Sequence, residues 1–455
     1  MNLAPGAPRA GTPALVVIGG PTVHCTHHRA PPRSRQTLLR SLPAASRVLA
    51  MGVERPNAAS VAGSTWHSFD GTAASLDRFA APYDLIVLAD GLDALDDPPA
   101  CLTALRRLAA PHATLAIDVA NHATLEMLQR FVEADLTDGD SGALAQRALR
   151  LGSMGSAYKL MLDAGWMPTL VDTCTAPSHP APYVTAAQAL AAALHVPAAT
   201  AMRQWSAERL IVHAQASFEH DTALPRQPAR FTVVVPTTRD LQLRLNVEPS
   251  PGLREVAARI VSVRGAATPA DALSRALEHS DSDWILLCHQ DVYFPQGFGD
   301  RLNAVLAAVP DGERTRTLIG FAGIGVDRST QACRPAGFVI DRTQRADWGA
   351  SDQAVSIDEL ALVLSRDSLL RIEPAMGWHL WATDLCLQAI CTHQIFPRIV
   401  RMPLFHNSTT DHQLPDAFHR SAAVLAAKHA GFRPIHTLCG VIDERFLAQR
   451  RSSTE

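Results

Sequence analysis

Trp284-Ile285-Leu286-Leu287-Cys288-His289-Gln290-Asp291-Val292-Tyr293-Phe294-Pro295 is an apolar run that stops abruptly at polar and acidic residues. Polar Ser280-Asp281-Ser282-Asp283 precedes it and Pro295-Gln296-Gly297 follows, a pattern that fits a parallel strand covered on both faces. In open α/β sheets, ligands bind beyond the carboxyl ends of such strands. Asp291 is therefore the first place to look for a metal ion or a substrate.

The chain has 455 residues, too many for one ordinary core, and two domains are expected. Hydrophobic residues make up 47% and charged residues 19%, which describes a soluble globular protein. A formal net charge of -3 gives no sign of a nucleic-acid or membrane-surface partner. The eight cysteines have no repeated close spacing, so they suggest neither a disulfide framework nor a zinc ribbon, and a reducing, cytoplasmic setting is the simplest expectation. No stretch approaches the roughly 20 apolar residues of a transmembrane segment. His24-Cys25-Thr26-His27-His28 holds metal-capable side chains, but nearby arginines and prolines mark an exposed loop.

Residues 1–12 read as a disordered leader and 446–455 as a disordered tail. Between them the pattern predicts two doubly wound α/β domains, 13–180 and 230–445, joined by a helical linker over 181–229. In the first domain, strands are expected at Arg47–Met51, Leu85–Ala89, Thr114–Asp118 and 168–173. Helices are expected near 36–42, 99–108, 123–134 and 154–164. Within the linker, residues 183–220 are Ala-rich, with Pro197 their one breaker, and read as two helices, the second running from Ala198 to Ala216. Trp205, Leu210 and Val212 read there as packing residues.

Tyr83-Asp84-Leu85-Ile86-Val87-Leu88-Ala89-Asp90-Gly91-Leu92-Asp93, with Asp118 to His122 and Leu162-Asp163-Ala164-Gly165-Trp166, resembles class I S-adenosylmethionine-dependent methyltransferases. Such enzymes carry a Gly-rich turn after the first strand, where backbone can approach the cofactor. Here Met51-Gly52-Val53-Glu54 offers a single glycine, Glu54 is the one acid available for a ribose, and Asp93-Ala94 stands where a Glu-His pair is common. The domain therefore reads as a degenerate relative, kept for structure or partner contacts, with S-adenosylmethionine not expected as a cofactor.

The second half begins with Phe231-Thr232-Val233-Val234-Val235-Pro236-Thr237-Thr238, a β-branched strand entering a loop. Further strands are expected at Val256 to Val263, Leu360 to Leu364 and Ile399 to Leu404, with helices at Pro269 to Glu278, from Leu385 and at Ala422 to Lys428. Together with His289-Gln290-Asp291-Val292, Gly320-Phe321-Ala322-Gly323-Ile324-Gly325, Gly377-Trp378-His379-Leu380-Trp381-Ala382-Thr383-Asp384 and Pro403-Leu404-Phe405-His406-Asn407-Ser408, the ordered set resembles GT-A glycosyltransferases. The likeness is to the family 2-like group with His-Gln-Asp in place of Asp-x-Asp.

The resemblance implies an inverting transfer of sugar from a nucleotide-sugar donor to a glycan, lipid-linked or protein acceptor, in a bacterial surface-polysaccharide or glycoprotein pathway. It implies a divalent cation, Mn2+ or Mg2+, with Asp291 and His406 as ligands. Pro236, Thr237, Thr238, His289, Gln290 and Asp291 would bind the nucleotide-sugar. Asp358, Glu359, Trp378, His379 and Trp381 would line the acceptor side, and Asp384 would be the catalytic base. The plainer alternatives are a helix cap for Asp384 and core packing for the tryptophans. Ala382 departs from the group, which often has an acid there. Two other readings compete: a methyltransferase acting on a sugar, and a non-catalytic scaffold of two degenerate domains.

Overall fold

The computed structural model describes residues 32–53, 63–80, 82–125, 127–128, 152–175, 179, 181–193, 196–216, 229–408 and 414–448. The expected leader and tail, the His24 to His28 loop, Glu54 and most of the helix expected near 123–134 lie outside these residues.

The first half is built on a six-stranded sheet in the order β2-β1-β3-β4-β6-β5. Strands β1 (Arg47–Met51), β2 (Thr65–Ser68), β3 (Tyr83–Leu88) and β4 (Ala109–Ala120) run parallel. Strands β5 (Trp166–Thr175) and β6 (Ala207–Ala216) close the edge in antiparallel pairing. Successive side chains of a strand point to opposite faces. Leu49, Ile86, Leu115 and Ile117 therefore enter one core under α2 (Pro98–Leu108) and α3 (Met154–Asp163), and Val48, Val87 and Ala116 enter another under α1 (Pro32–Ser41). Helices on both faces of a mainly parallel sheet give the expected α/β class.

One expectation about the segment after 181 is overturned. Helices α4 (Ala181–Ala193) and α5 (Ala198–Ser206) form, but Ala207–Ala216 is a strand rather than the rest of a helix. Leu210, Val212 and Ala214 face one core while Ile211 faces the other, a period of two. Pairing with β4 and β5 on both sides outweighs the modest helix preference of the alanines. The chain thus returns to the first sheet before entering the second half.

The second half holds two further six-stranded sheets. The larger core surrounds the order β17-β11-β16-β9-β7-β8, where β7 is Phe231–Thr237, β8 Arg259–Arg264, β9 Trp284–Cys288, β11 Leu318–Gly320, β16 Ala361–Ser365 and β17 Arg398–Ile399. All five residues of β9 are buried, as its continuous apolar sequence requires. Ala272 and Ala276 of α6 (Pro269–Leu277) pack on one face, and Phe298 and Leu302 of α7 (Phe298–Ala307) on the other. The other sheet has the path β10-β18-β13-β12-β15, with β14 pairing β13. Its strands are β10 (Val292–Tyr293), β12 (Ala322–Val326), β13 (Cys333–Asp341), β14 (Arg345–Gly349), β15 (Ala354–Ile357) and β18 (Leu404–His406). The strand expected over Ile399 to Leu404 is thereby split between two sheets. Helices α8 (Trp381–His393) and α9 (Asp416–Lys428) and a hairpin of β19 (Ile435–Thr437) and β20 (Gly440–Ile442) complete the half.

The two halves share a core. Tyr293, Phe338, Ile340 and Phe405 pack into the same cluster as Leu115, Tyr158 and Trp166. Tyr293 Oη donates to Asp163 at 2.6 Å, and Arg345 Nη1 donates to the Met167 carbonyl at 2.7 Å.

Gly337 is a close-approach point where β12 meets β13: its φ is +108°, and an added Cβ would overlap the Phe321 carbonyl oxygen. Both strain and clash oppose a side chain. Gly337→Ala is expected to lower stability by about 3 kcal/mol, measured by denaturant unfolding. A variant within about 0.5 kcal/mol of wild type contradicts the packing described.

Candidate functional site

At the end of β9 the chain passes from one sheet to the other. His289 N donates to the Leu360 carbonyl at 2.9 Å and prolongs the pairing with β16. Three residues later, β10 pairs with β18 instead, Val292 opposite His406. On its other side β18 lies parallel to β13, with His406 level with Asp341. The crossing segment His289-Gln290-Asp291 is thereby delivered to the end of β18.

The ligand atoms of His289, Asp291 and His406 all lie within 4.8 Å of one another. His406 Nε2 is 3.5 Å from Asp291 Oδ1, and its Nδ1 is 3.2 Å from Asp341 Oδ1. Burial opposes charge on His406, yet the two carboxylates raise its pKa well above the ordinary value. Burial likewise opposes charge on Asp291, but His406 holds its carboxyl well below the carboxylate range. Two imidazoles and a carboxylate on a negatively biased floor suit a borderline or hard divalent cation. With Nδ1 facing Asp341, Nε2 of His406 is the nitrogen left for such an ion, an arrangement typical of metal-ligating histidines.

Asp341 was not anticipated. It had the signature of the opening stretch, an acid ending the apolar run Phe338-Val339-Ile340. Asn407 locks the same corner: its N–H donates to the Asp291 carbonyl at 2.8 Å, and its side chain joins Asn246 and Arg342. Arg342 in turn donates to Gln204 of α5 at 2.7 Å, so the first half reaches the site through one hydrogen-bonded chain.

A cavity of about 400 Å3 opens beside the cluster, lined among others by Pro236, Thr237, Thr238, His289, Gln290, Asp291, Glu359, Trp378 and Trp381. The site residues expected from sequence are thus largely gathered in one place. Gln290 has a narrower part than expected: its Oε1 accepts from the N–H groups of Thr238 and Arg239, at 2.9 and 2.8 Å, and so pins the loop after β7. The Thr237 hydroxyl donates to the Val235 carbonyl within its own strand. Trp378 is exposed, whereas Trp381 is a buried core residue that presents part of its surface to the cavity. His379 packs near Phe418, with ring centroids 5.9 Å apart. Asp358 Oδ1 accepts from Leu360 N at 3.0 Å.

Asp384 does not fit the role of base. It is 0% exposed and is not among the cavity-lining residues. His429 Nε2 lies 2.7 Å from its Oδ1, while Lys428 Nζ and Gln388 Nε2 donate to Oδ2 at 2.9 and 2.7 Å. Burial works against the charged form, but these partners together hold the carboxyl below its ordinary range. The capping alternative fails too: α8 begins at Trp381, after Leu380 in a left-handed conformation. Asp384 is a buried ion-pair anchor between α8 and the end of α9.

An added Cβ on Gly52 would overlap the Asp90 carboxylate, which pairs with Arg35 at 2.6 Å.

No protein-family model matches the sequence, and no curated protein matches it. Among solved structures, GalNAc-T7 with UDP, GalNAc and Mn2+ aligns over 57% of this chain and 64% of its own, at 8% identity and TM-score 0.35. A SAM-dependent methyltransferase of Thermotoga maritima aligns over 40% of this chain and 86% of its own, at 14% identity and TM-score 0.24. The plantazolicin methyltransferase BpumL in complex with SAH aligns over 41% and 81%, at 11% identity and TM-score 0.23. At these scores the likenesses are loose and carry no weight beside the geometry of the site.

Two outcomes follow from this geometry. Asp341→Asn is expected to weaken Mn2+ binding about 10- to 100-fold without unfolding the protein, measured by calorimetry; unchanged affinity removes Asp341 from the site. Asp384→Asn is expected to cost about 3 kcal/mol near pH 7, since it leaves Lys428, Gln388 and His429 facing a neutral group. The folded-state pKa of Asp384 is depressed, so its stabilisation is present above the unfolded value and is lost as pH falls. The gap in melting temperature between variant and wild type should therefore shrink below about pH 4. A gap independent of pH excludes the ion-pair role.

Proposed function

We propose that the protein is a metal-dependent glycosyltransferase that moves a sugar from a nucleotide-sugar donor to a hydroxyl of a glycan, lipid-linked or protein acceptor, with inversion. The observation that carries this reading is the cavity of about 400 Å3 with the His289, Asp291 and His406 cluster at its edge. It lies at the carboxyl ends of β7 and β9, where ligands of α/β sheets bind.

The chemistry fits the residues. Loss of a nucleoside diphosphate builds negative charge, and a divalent cation held by His289, Asp291 and His406 would offset it. Pro236, Thr237 and Thr238 form the wall facing the nucleotide, and Gln290 keeps that loop in place. Exposed Trp378 offers a flat apolar surface for a sugar ring. Glu359, Trp381 and His379 complete the acceptor side. The first half, with the Asp90–Arg35 pair over Gly52, serves this site as structural support.

The test is a turnover screen of UDP-, GDP- and dTDP-sugars with Mn2+, following release of the nucleoside diphosphate. Asp291→Ala is expected to reduce turnover by more than about 100-fold, whereas Asp93→Ala in the first half leaves it unchanged. Turnover that survives Asp291→Ala, or that needs no divalent cation, contradicts the reading.

A further inference from the structure

Inverting transfer needs a base for the acceptor proton, and Asp384 is sealed away from the cavity. The carboxylates around the site can be sorted by what they already hold. Asp291 and Asp341 face the two ring nitrogens of His406. Asp358 accepts from the backbone of Leu360. Glu359 differs from all of these in lining the cavity, beside Trp378 and Trp381, while its partners are backbone N–H groups, with Oε1 accepting from Ala382 N at a long 3.4 Å and Leu380 N–H also donating. That contact places the carboxyl at the amino end of α8, where the helix dipole offsets only part of the cost of its charge.

We propose that Glu359 is the base that accepts the proton of the acceptor hydroxyl, an assignment that rests on the transferase reading above. As the acceptor oxygen bonds to the anomeric carbon, the bond from that carbon to the diphosphate oxygen breaks, and its electron pair leaves with the diphosphate. The hydroxyl proton passes to a carboxylate oxygen of Glu359, which becomes neutral. Atoms and charge balance with no further reactant.

The surroundings favour this use. Burial, and then the like charge of Asp358, push the Glu359 carboxyl up to about 8. A carboxylate that is costly to keep charged is a stronger base than an ordinary one, and taking a proton relieves that cost. The other groups facing it are Cys386 of α8, Cys439 in the turn between β19 and β20, and His289 and Asp291 in the cavity wall. Burial pushes both thiols up, Cys439 to about 12, so they stay neutral through the physiological range. The pKa of His289 is lowered, so it is neutral there too, and Asp291 is charged. His406, whose pKa its two carboxylates raise in the metal-free protein, lies at the cavity's edge, so comparison with a variant must separate its effect from that of Glu359.

The experiment uses the full chain with Mn2+ and the same panel of UDP-, GDP- and dTDP-sugars. Nucleoside diphosphate release is followed from about pH 6 to 9, with water as the acceptor. Binding of Mn2+ with UDP, GDP or dTDP is measured in parallel by calorimetry. Wild-type kcat should rise with pH through an inflection above the ordinary carboxylate range, as Glu359 becomes charged. Glu359→Gln should lower kcat by about 100-fold or more and abolish that inflection, with KM and diphosphate affinity changed by less than about threefold. Glu359→Asp should restore part of the rate and bring the inflection back. An active wild type with Glu359→Gln equally fast, or with the inflection intact, overturns the assignment alone. A wild type that turns over none of the donors overturns both the transferase reading and the base.

Discussion

Two imidazoles and a carboxylate can share a cation only if they meet at a few ångströms, and here two come from a segment crossing between sheets and the third from the end of β18. The meeting is arranged by one short crossing, in which the chain leaves the β9 pairing at His289 and enters the β18 pairing at Val292. Everything around the crossing serves its position. Gln290 ties it to the loop after β7, Asn407 ties it to the end of β18, and Asp341 turns the His406 ring. The angle between two sheets is thus converted into the spacing of a small polar cluster. Gly323 and Gly337 allow neighbouring backbones to approach closely, and Gly320 leaves room for the Ile357 side chain.

Strand β18 has only three residues, too few to hold a position alone. Its middle residue, Phe405, lies 5.6 Å from Tyr158 of α3 between ring centroids, inside the core of the first half. Burying one such ring contributes about 2 kcal/mol, and Tyr293, Phe338 and Ile340 enter the same core. The link from Gln204 through Arg342 to Asn407 adds direction to this apolar grip. The first half is therefore mechanically part of the site, although none of its residues lines the cavity described.

Much of this could be read from the amino-acid order, where the signal was local. Strand β9 declared itself by five consecutive apolar residues, β1 by a short apolar run, and Asp291 by ending such a run. Positions 207–216 were misread because Ala-rich composition speaks for helix, while the period of two in Leu210, Val212 and Ala214 gains force only from strands on either side. Asp384 was assigned by position in a motif, and its burial depends on Lys428 and His429 more than forty residues later. Asp341 carried the right signature but lacked a visible partner, since its register with His406 spans a pairing of distant segments. Glu359 is legible as an acceptor-side acid, but its place in the cavity wall, where Asp384 is sealed off, depends on the tertiary packing.

The shared core bears on how such a protein can change over generations. Two domains joined by a bare tether can be reshuffled as cassettes, each keeping its own competence. Here a donor gene fragment encoding only the second half would carry an unpaired apolar face formed by Tyr293, Phe338, Ile340 and Phe405. Any replacement first half would have to match that face and place a hydrogen-bond acceptor opposite Arg342. The unit of inheritance is the pair, and drift in the first half is restrained by a pocket to which it contributes no wall.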